Sequence, residues 1–173
     1  MFNTVFGLPV HALVVHAATV LLPLAAVLTA VLAWLPARWR AFGLPVAALD
    51  LVLLGVAIVA KESGEKLEHR LPRTDLIHEH AEIGDKLPLV AGLLLLCALV
   101  PAFFGWRSRR ASLAATKDPV RHDWPAASLL APRWAQLATG VASTLVALAV
   151  IYLTVKAGHS GAEAVWRDVH FIR

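Results

Sequence analysis

Imidazole serves both as a metal ligand and as a proton carrier near neutral pH, so the placing of eight histidines in an apolar chain is the first chemical question this sequence raises. In GHSGAEAVW (158–166), His159 stands between two glycines, just ahead of a Ser160–Glu163 pair with capping-box spacing. The pattern predicts that one helix stops at the glycines and a short one starts at Ser160. Ala162, Val165, Trp166 and Val169 would form its apolar stripe at the membrane surface. His159 would then be fixed at a corner; the plainer reading is that it only caps the preceding helix.

LIHEHAEIGD (76–85) repeats the theme. Leu76, His80, Ile83 and Leu87 share one helical face, which turns His80 toward the rest of the fold, while His78 and Glu82 at i, i+4 form either a solvated pair or half of a metal site. His16 is the deepest histidine, about 9 Å along a helix from Val10 at 1.5 Å per residue. An ionisable group inside a membrane is by default a functional candidate, whereas His11 lies near enough to the interface to be explained by it. With Glu65 from SGEKLEH, the set His16, Glu65, His80 and His159 gives each long segment one polar group at the same end. Imidazole and carboxylate suit zinc, iron, copper or nickel, and imidazole is also an axial ligand of haem. No HExxH or CxxCH motif is present.

The elements that must position these groups are membrane helices. Of 173 residues, 58% are hydrophobic and 16% charged, with a mean hydropathy of +0.68. Val10–Leu35, Leu44–Ala60, Leu87–Gly105 and Trp134–Val155 approach the roughly 20 apolar residues a span needs. Every Lys, Arg, Asp and Glu except Asp50 falls outside them. The expectation is a single all-α membrane domain over 1–173: a four-helix bundle with short amphipathic helices in the second connection and at the C-terminus. MFNTVFGLP lacks a positive n-region, so helix 1 is expected to remain in the mature protein. The net charge of +4 comes from residues flanking the helices, without a basic face, which argues against nucleic acid.

Short loops rich in Lys and Arg stay in the cytoplasm. Arg38 and Arg40 in the first connection, and Arg107, Arg109, Arg110, Lys117, Arg121 and Arg133 in the third, place both inside. The acid-rich connection 61–86 and both termini are then extracytoplasmic. His11, His16, His69, His78, His80, His159 and His170 gather on that side; His122 alone is inside.

Ala135, Thr139, Ser143 and Ala147 recur every four residues on helix 4, and Ala18, Ala26 and Ala30 form a similar row on helix 1, so these two helices are expected to pack closely. Pro23 should kink helix 1, while Pro9 and Pro45 sit near helix starts. Cys97 reads as a small membrane-core residue. Asp50 should face the interior as a neutral carboxyl bonded to hydroxyl or amide groups such as Thr139 or Gln136.

GLPVHALVVHAATVLLPLA, SGEKLEHRL, LIHEHAEIGD and GHSGAEAVW, in this order over nearly the whole chain, resemble the bacterial membrane-protein family named domain of unknown function twenty-two thirty-one. Its pattern matches His11, His16, Gly64 with Glu65, His80 with Gly84, and His159 with Gly161; Ala12 departs from it, where the family usually has proline. The resemblance implies a multi-pass protein of the bacterial inner membrane and a set of motif positions, without an activity. The residues themselves point to a transition-metal ion or b-type haem near the extracytoplasmic face, in electron transfer or metal handling. His16, His80 and His159 are the expected ligands, Glu65 is a ligand or its support, and His11 belongs to the wider metal set. The alternative is a structural or accessory subunit whose histidines tie helix ends together, docking on a membrane-protein partner or a second copy. A proton-coupled transporter using Asp50 is a third reading.

Overall fold

The computed structural model describes residues 4–5, 8–71, 74–117 and 131–166. A two-residue antiparallel pair, Thr4–Val5 with Leu8–Pro9, leads into α1 (Val10–Ala33). A 3-10 turn at Pro36–Arg38 joins it to α2 (Trp39–Glu68). The short α3 (Asp75–Gly84), α4 (Leu87–Lys117) and α5 (Arg133–Trp166) follow. Four helices are long and apolar enough to cross a membrane.

Three helices outrun the expected apolar segments. Thirty residues in α2 span about 45 Å and 34 in α5 about 51 Å, against a hydrocarbon thickness of about 30 Å. Helical structure therefore continues through SGEKLE and past Gly105 into SRRASLAATK, where Ala, Leu, Arg and Lys are good helix formers. Both ends of the bundle project beyond the lipid.

The expected break at Gly158–Ser160 is corrected: α5 runs unbroken to Trp166. The Ser160 hydroxyl donates back to the carbonyl of Ala157 at 3.1 Å, within the same helix, and caps no new one. The amphipathic helix in the second connection is present as α3. Its N-cap is Thr74, whose side-chain oxygen accepts from the Ile77 amide at 3.3 Å. His122, Val169 and His170 lie outside the described residues.

Packing follows membrane logic, with small residues inside and large ones outside. Ala18, Ala25, Ala26, Ala57, Ala91 and Ala147 are buried, while Leu89 and Leu145 are 65% and 63% exposed toward lipid. α1 packs on α5 as the alanine rows predicted, and Ala18, Ala26 and Ala147 join one core cluster. α2 lies along α4. There, a Cβ on Gly43 would stand 2.5 Å from the Pro101 carbonyl oxygen, and a Cβ on Gly105 would meet that of Trp39. Only glycine permits this approach at the arginine-rich end. Pro45 is the seventh residue of α2, well inside the helix that begins at Trp39. At the opposite, histidine end, α3 packs against α5 and α2.

Candidate functional site

Two histidines meet at that end. His11, at the start of α1, points its Nδ1 at the carbonyl of Ala60 on α2, 3.0 Å away. Ser63 Oγ lies 3.4 Å from the same nitrogen and donates its own proton to Ala60. One turn beyond Ala60, Gly64 leaves room for the ring: a Cβ there would stand 3.0 Å from His11 Cε1.

His80 repeats the arrangement between α3 and α5. Its Nδ1 lies 3.1 Å from Ser160 Oγ, and a Cβ on Gly161 would stand 2.9 Å from His80 Cε1. Gly64 of SGEK and Gly161 of GHSGA are thus platforms on which the two rings rest.

The partners bear on the tautomers. Ala60 offers only a carbonyl, so His11 Nδ1 must carry a proton. Ser160 Oγ lies 3.1 Å from both His80 Nδ1 and the Ala157 carbonyl, and that carbonyl also bonds the His80 ring; with the Ser160 proton directed to Ala157, we assign the His80 proton to Nδ1. With Nδ1 protonated, the lone pair of each ring lies on Nε2. The two rings meet edge to face, 6.3 Å between centroids at 83°. Partial burial, and then the neighbouring His11, hold the His80 imidazole below its ordinary pKa of 6.5, which favours the neutral, electron-donating form.

The other expected site residues lie elsewhere. His16 and His159 are exposed, and His16 Nδ1 bonds the Ala12 carbonyl of its own helix. Glu65 is exposed and pairs with Lys61 at 2.7 Å; Lys61 also reaches Asp85 at 3.2 Å, joining α2 to the α3–α4 turn. His78 and Glu82 form an exposed pair at 3.5 Å. Gly84 ends α3 with nothing within 4 Å of its Cβ position. The structure therefore brings His11 and His80 together, with Ser63, Gly64, Ser160 and Gly161 as supports, and leaves His16, Glu65 and His159 at the surface. Among the described residues no three of His, Cys, Asp and Glu come within reach of one metal ion.

Asp50 is buried inside the bundle and bonded to a hydroxyl, as expected, but the hydroxyl comes from α1 and not from Thr139 of α5. Thr29 of α1 donates to Asp50 Oδ2 at 2.8 Å. Thr139 and Gln136 instead direct their donors to the carbonyls of Ala135 and Ala131.

Four apolar crossings with polar helix ends define a multi-pass membrane protein. The chain belongs to the family described as predicted membrane protein (DUF2231), whose model matches residues 7–171. No curated protein and no solved structure matches it.

Proposed function

We propose that this protein binds one transition-metal ion at its extracytoplasmic face through Nε2 of His11 and His80, and acts in metal handling. The observation behind this reading is that both Nδ1 atoms lie within hydrogen-bond distance of oxygens of neighbouring helices, which assigns the lone pair of each ring to Nε2. Histidine ligands of metals typically hold their second nitrogen in this way, which sets the tautomer and the ring direction. Neutral imidazoles suit zinc, copper, iron or nickel, with a ligating distance of about 2.0–2.1 Å for zinc. Two protein ligands leave coordination positions for water or for a donor brought by a partner, which suits an ion that is passed on.

Haem fits these residues less well. The Cβ positions on Gly64 and Gly161 lie only 3.8 and 3.7 Å from Nε2 of His11 and His80, so the helix backbones stand where a macrocycle around the iron would extend.

Titration of the purified protein with zinc and with cuprous ion, alongside metal analysis and an absorption spectrum, tests the reading. One equivalent should bind, and His11→Ala or His80→Ala should abolish it while His16→Ala and His159→Ala keep it. Binding that survives both substitutions, or a haem band in place of metal, would overturn the assignment. A structural reading is favoured by a separate observation, that each Nδ1 bond crosses between helices. On that reading the same variants lose thermal stability and the wild type takes up no metal.

A further inference from the structure

Midway through the bundle the four long helices bring together polar side chains that the histidine end does not use. Asp50 of α2, Thr29 of α1 and Ser143 of α5 are 1%, 1% and 0% exposed. Cys97 of α4 lies beside Ser143 and within the field of Asp50. Ser143 is about 15 Å along α5 from Arg133, half the thickness of the hydrocarbon.

The hydrogen bonding of this group is incomplete. Thr29 serves Asp50 Oδ2, but Asp50 Oδ1 is buried without a partner, and Ser143 Oγ has only the weakly bonding Cys97 thiol beside it. Burying such groups unpaired is unfavourable by about 1–3 kcal/mol each, and more for a charge. Pro101, one turn beyond Cys97, has no N–H to offer the Cys97 carbonyl, so α4 lacks one helical hydrogen bond near this level. Around Asp50, α1 presents Thr29, α5 Ser143 and α4 Cys97. Cys97 is the one titratable group among them, and none is a cation. Among the described residues the site holds several acceptors and no positive charge.

We propose that Asp50, Thr29, Ser143 and Cys97 form an intramembrane proton-binding site, in which Asp50 carries one exchangeable proton on Oδ1. Oδ2 accepts from Thr29 and so takes the carbonyl role, leaving Oδ1 to bear the proton. That proton can be donated to the oxygen of Ser143, directly on rotation of the serine or through one water, while the serine keeps its own hydroxyl proton for a second acceptor. Release of the proton leaves a carboxylate with no cation beside it, so the step requires entry of water or of another cation between α1, α2 and α5. Proton occupancy is thereby linked to the closure of these helices.

Infrared spectroscopy of the full chain in lipid vesicles tests the site. At neutral pH the wild type should show the C=O band of a buried carboxylic acid. The band should shift in deuterium oxide, disappear in Asp50→Asn and persist unchanged in Glu65→Gln. Thr29→Val should move it, because the hydrogen bond to Oδ2 is lost; this variant serves even where Asp50→Asn does not assemble. An ionised Asp50 at neutral pH, a band that does not exchange, or one unmoved by Thr29→Val would overturn the proposal. Loss of the band on replacing choline with sodium would overturn it in favour of a metal-cation site.

Discussion

Arg109 of α4 donates to the carbonyl of Ala41 on α2, the acceptor that Pro45 leaves without its intrahelical partner. The Nη2–O distance is 3.2 Å, and Nε of the same guanidinium bonds the Arg40 carbonyl. Proline has no N–H to give residue i−4, so a side chain from the neighbouring helix takes that place.

Arg109→Ala should lower thermal stability by about 0.5–1.5 kcal/mol, the value of an ordinary hydrogen bond, since this end is open to water. In a Pro45→Ala background, where Ala41 regains its helical donor, the same substitution should matter less. A double-mutant cycle measures the coupling; additive effects would show that Arg109 acts independently of the proline.

Gly161→Ala and Gly64→Ala should weaken the proposed metal binding about 10–100-fold, the range for residues that orient a ligand. The added methyl meets only the far end of a histidine side chain, so each variant should fold nearly as well as wild type. Metal titration and thermal unfolding of the same samples separate the two effects. Unchanged affinity would detach the glycines from the site.

At the other end the outcome should reverse. Gly43→Ala and Gly105→Ala drive a methyl into rigid backbone, whereas Gly55→Ala enters open space. Overpacking of this kind is destabilising by about 1–3 kcal/mol or more. The first two should reduce the yield of folded protein in membranes, and Gly55→Ala should not.

Stability should fall as pH drops. His80 is held below its ordinary pKa in the folded state, so the unfolded chain binds the proton first and folding is opposed as pH falls through and below about 6.5. Above that value the two states bind equally and the effect vanishes. Unfolding followed between pH 7.5 and 5 should show the slope, reduced in His80→Asn. An equal slope in both would assign the effect to another group.

The membrane orientation is tested by thiol labelling of intact cells. In a Cys97→Ala background, Glu62→Cys should react with an impermeant reagent and Arg107→Cys should not. The reverse result would put the histidine end in the cytoplasm.

The spans were readable because charge is excluded from hydrocarbon, but apolar length marks only the part of a helix within lipid. The polar extensions of α2 and α5 were hidden for that reason, and they carry Ser63, Gly64, Ser160 and Gly161. Depth favoured His16 over His11, yet helix rotation decides which side chain enters the bundle. Five residues apart, the two lie about 140° apart around α1 at 3.6 residues per turn, so only one can face α2. Likewise Ser160, one position after His159, takes the inward direction. Asp50 was legible as an interior group because nothing else charged lies in the spans; its choice of Thr29 over Thr139 depended on pairings that spacing does not encode.

His11 is held by a carbonyl of α2 and His80 by a hydroxyl of α5, while α2 is locked to α4 by glycine contacts at the far end of the bundle. The gap between the two rings is therefore a gauge of splay. Because that lock lies a helix length away, a small rotation of α2 and α4 against α5 about it would be magnified before it reached the imidazoles, and the spacing of the lone pairs would change with it.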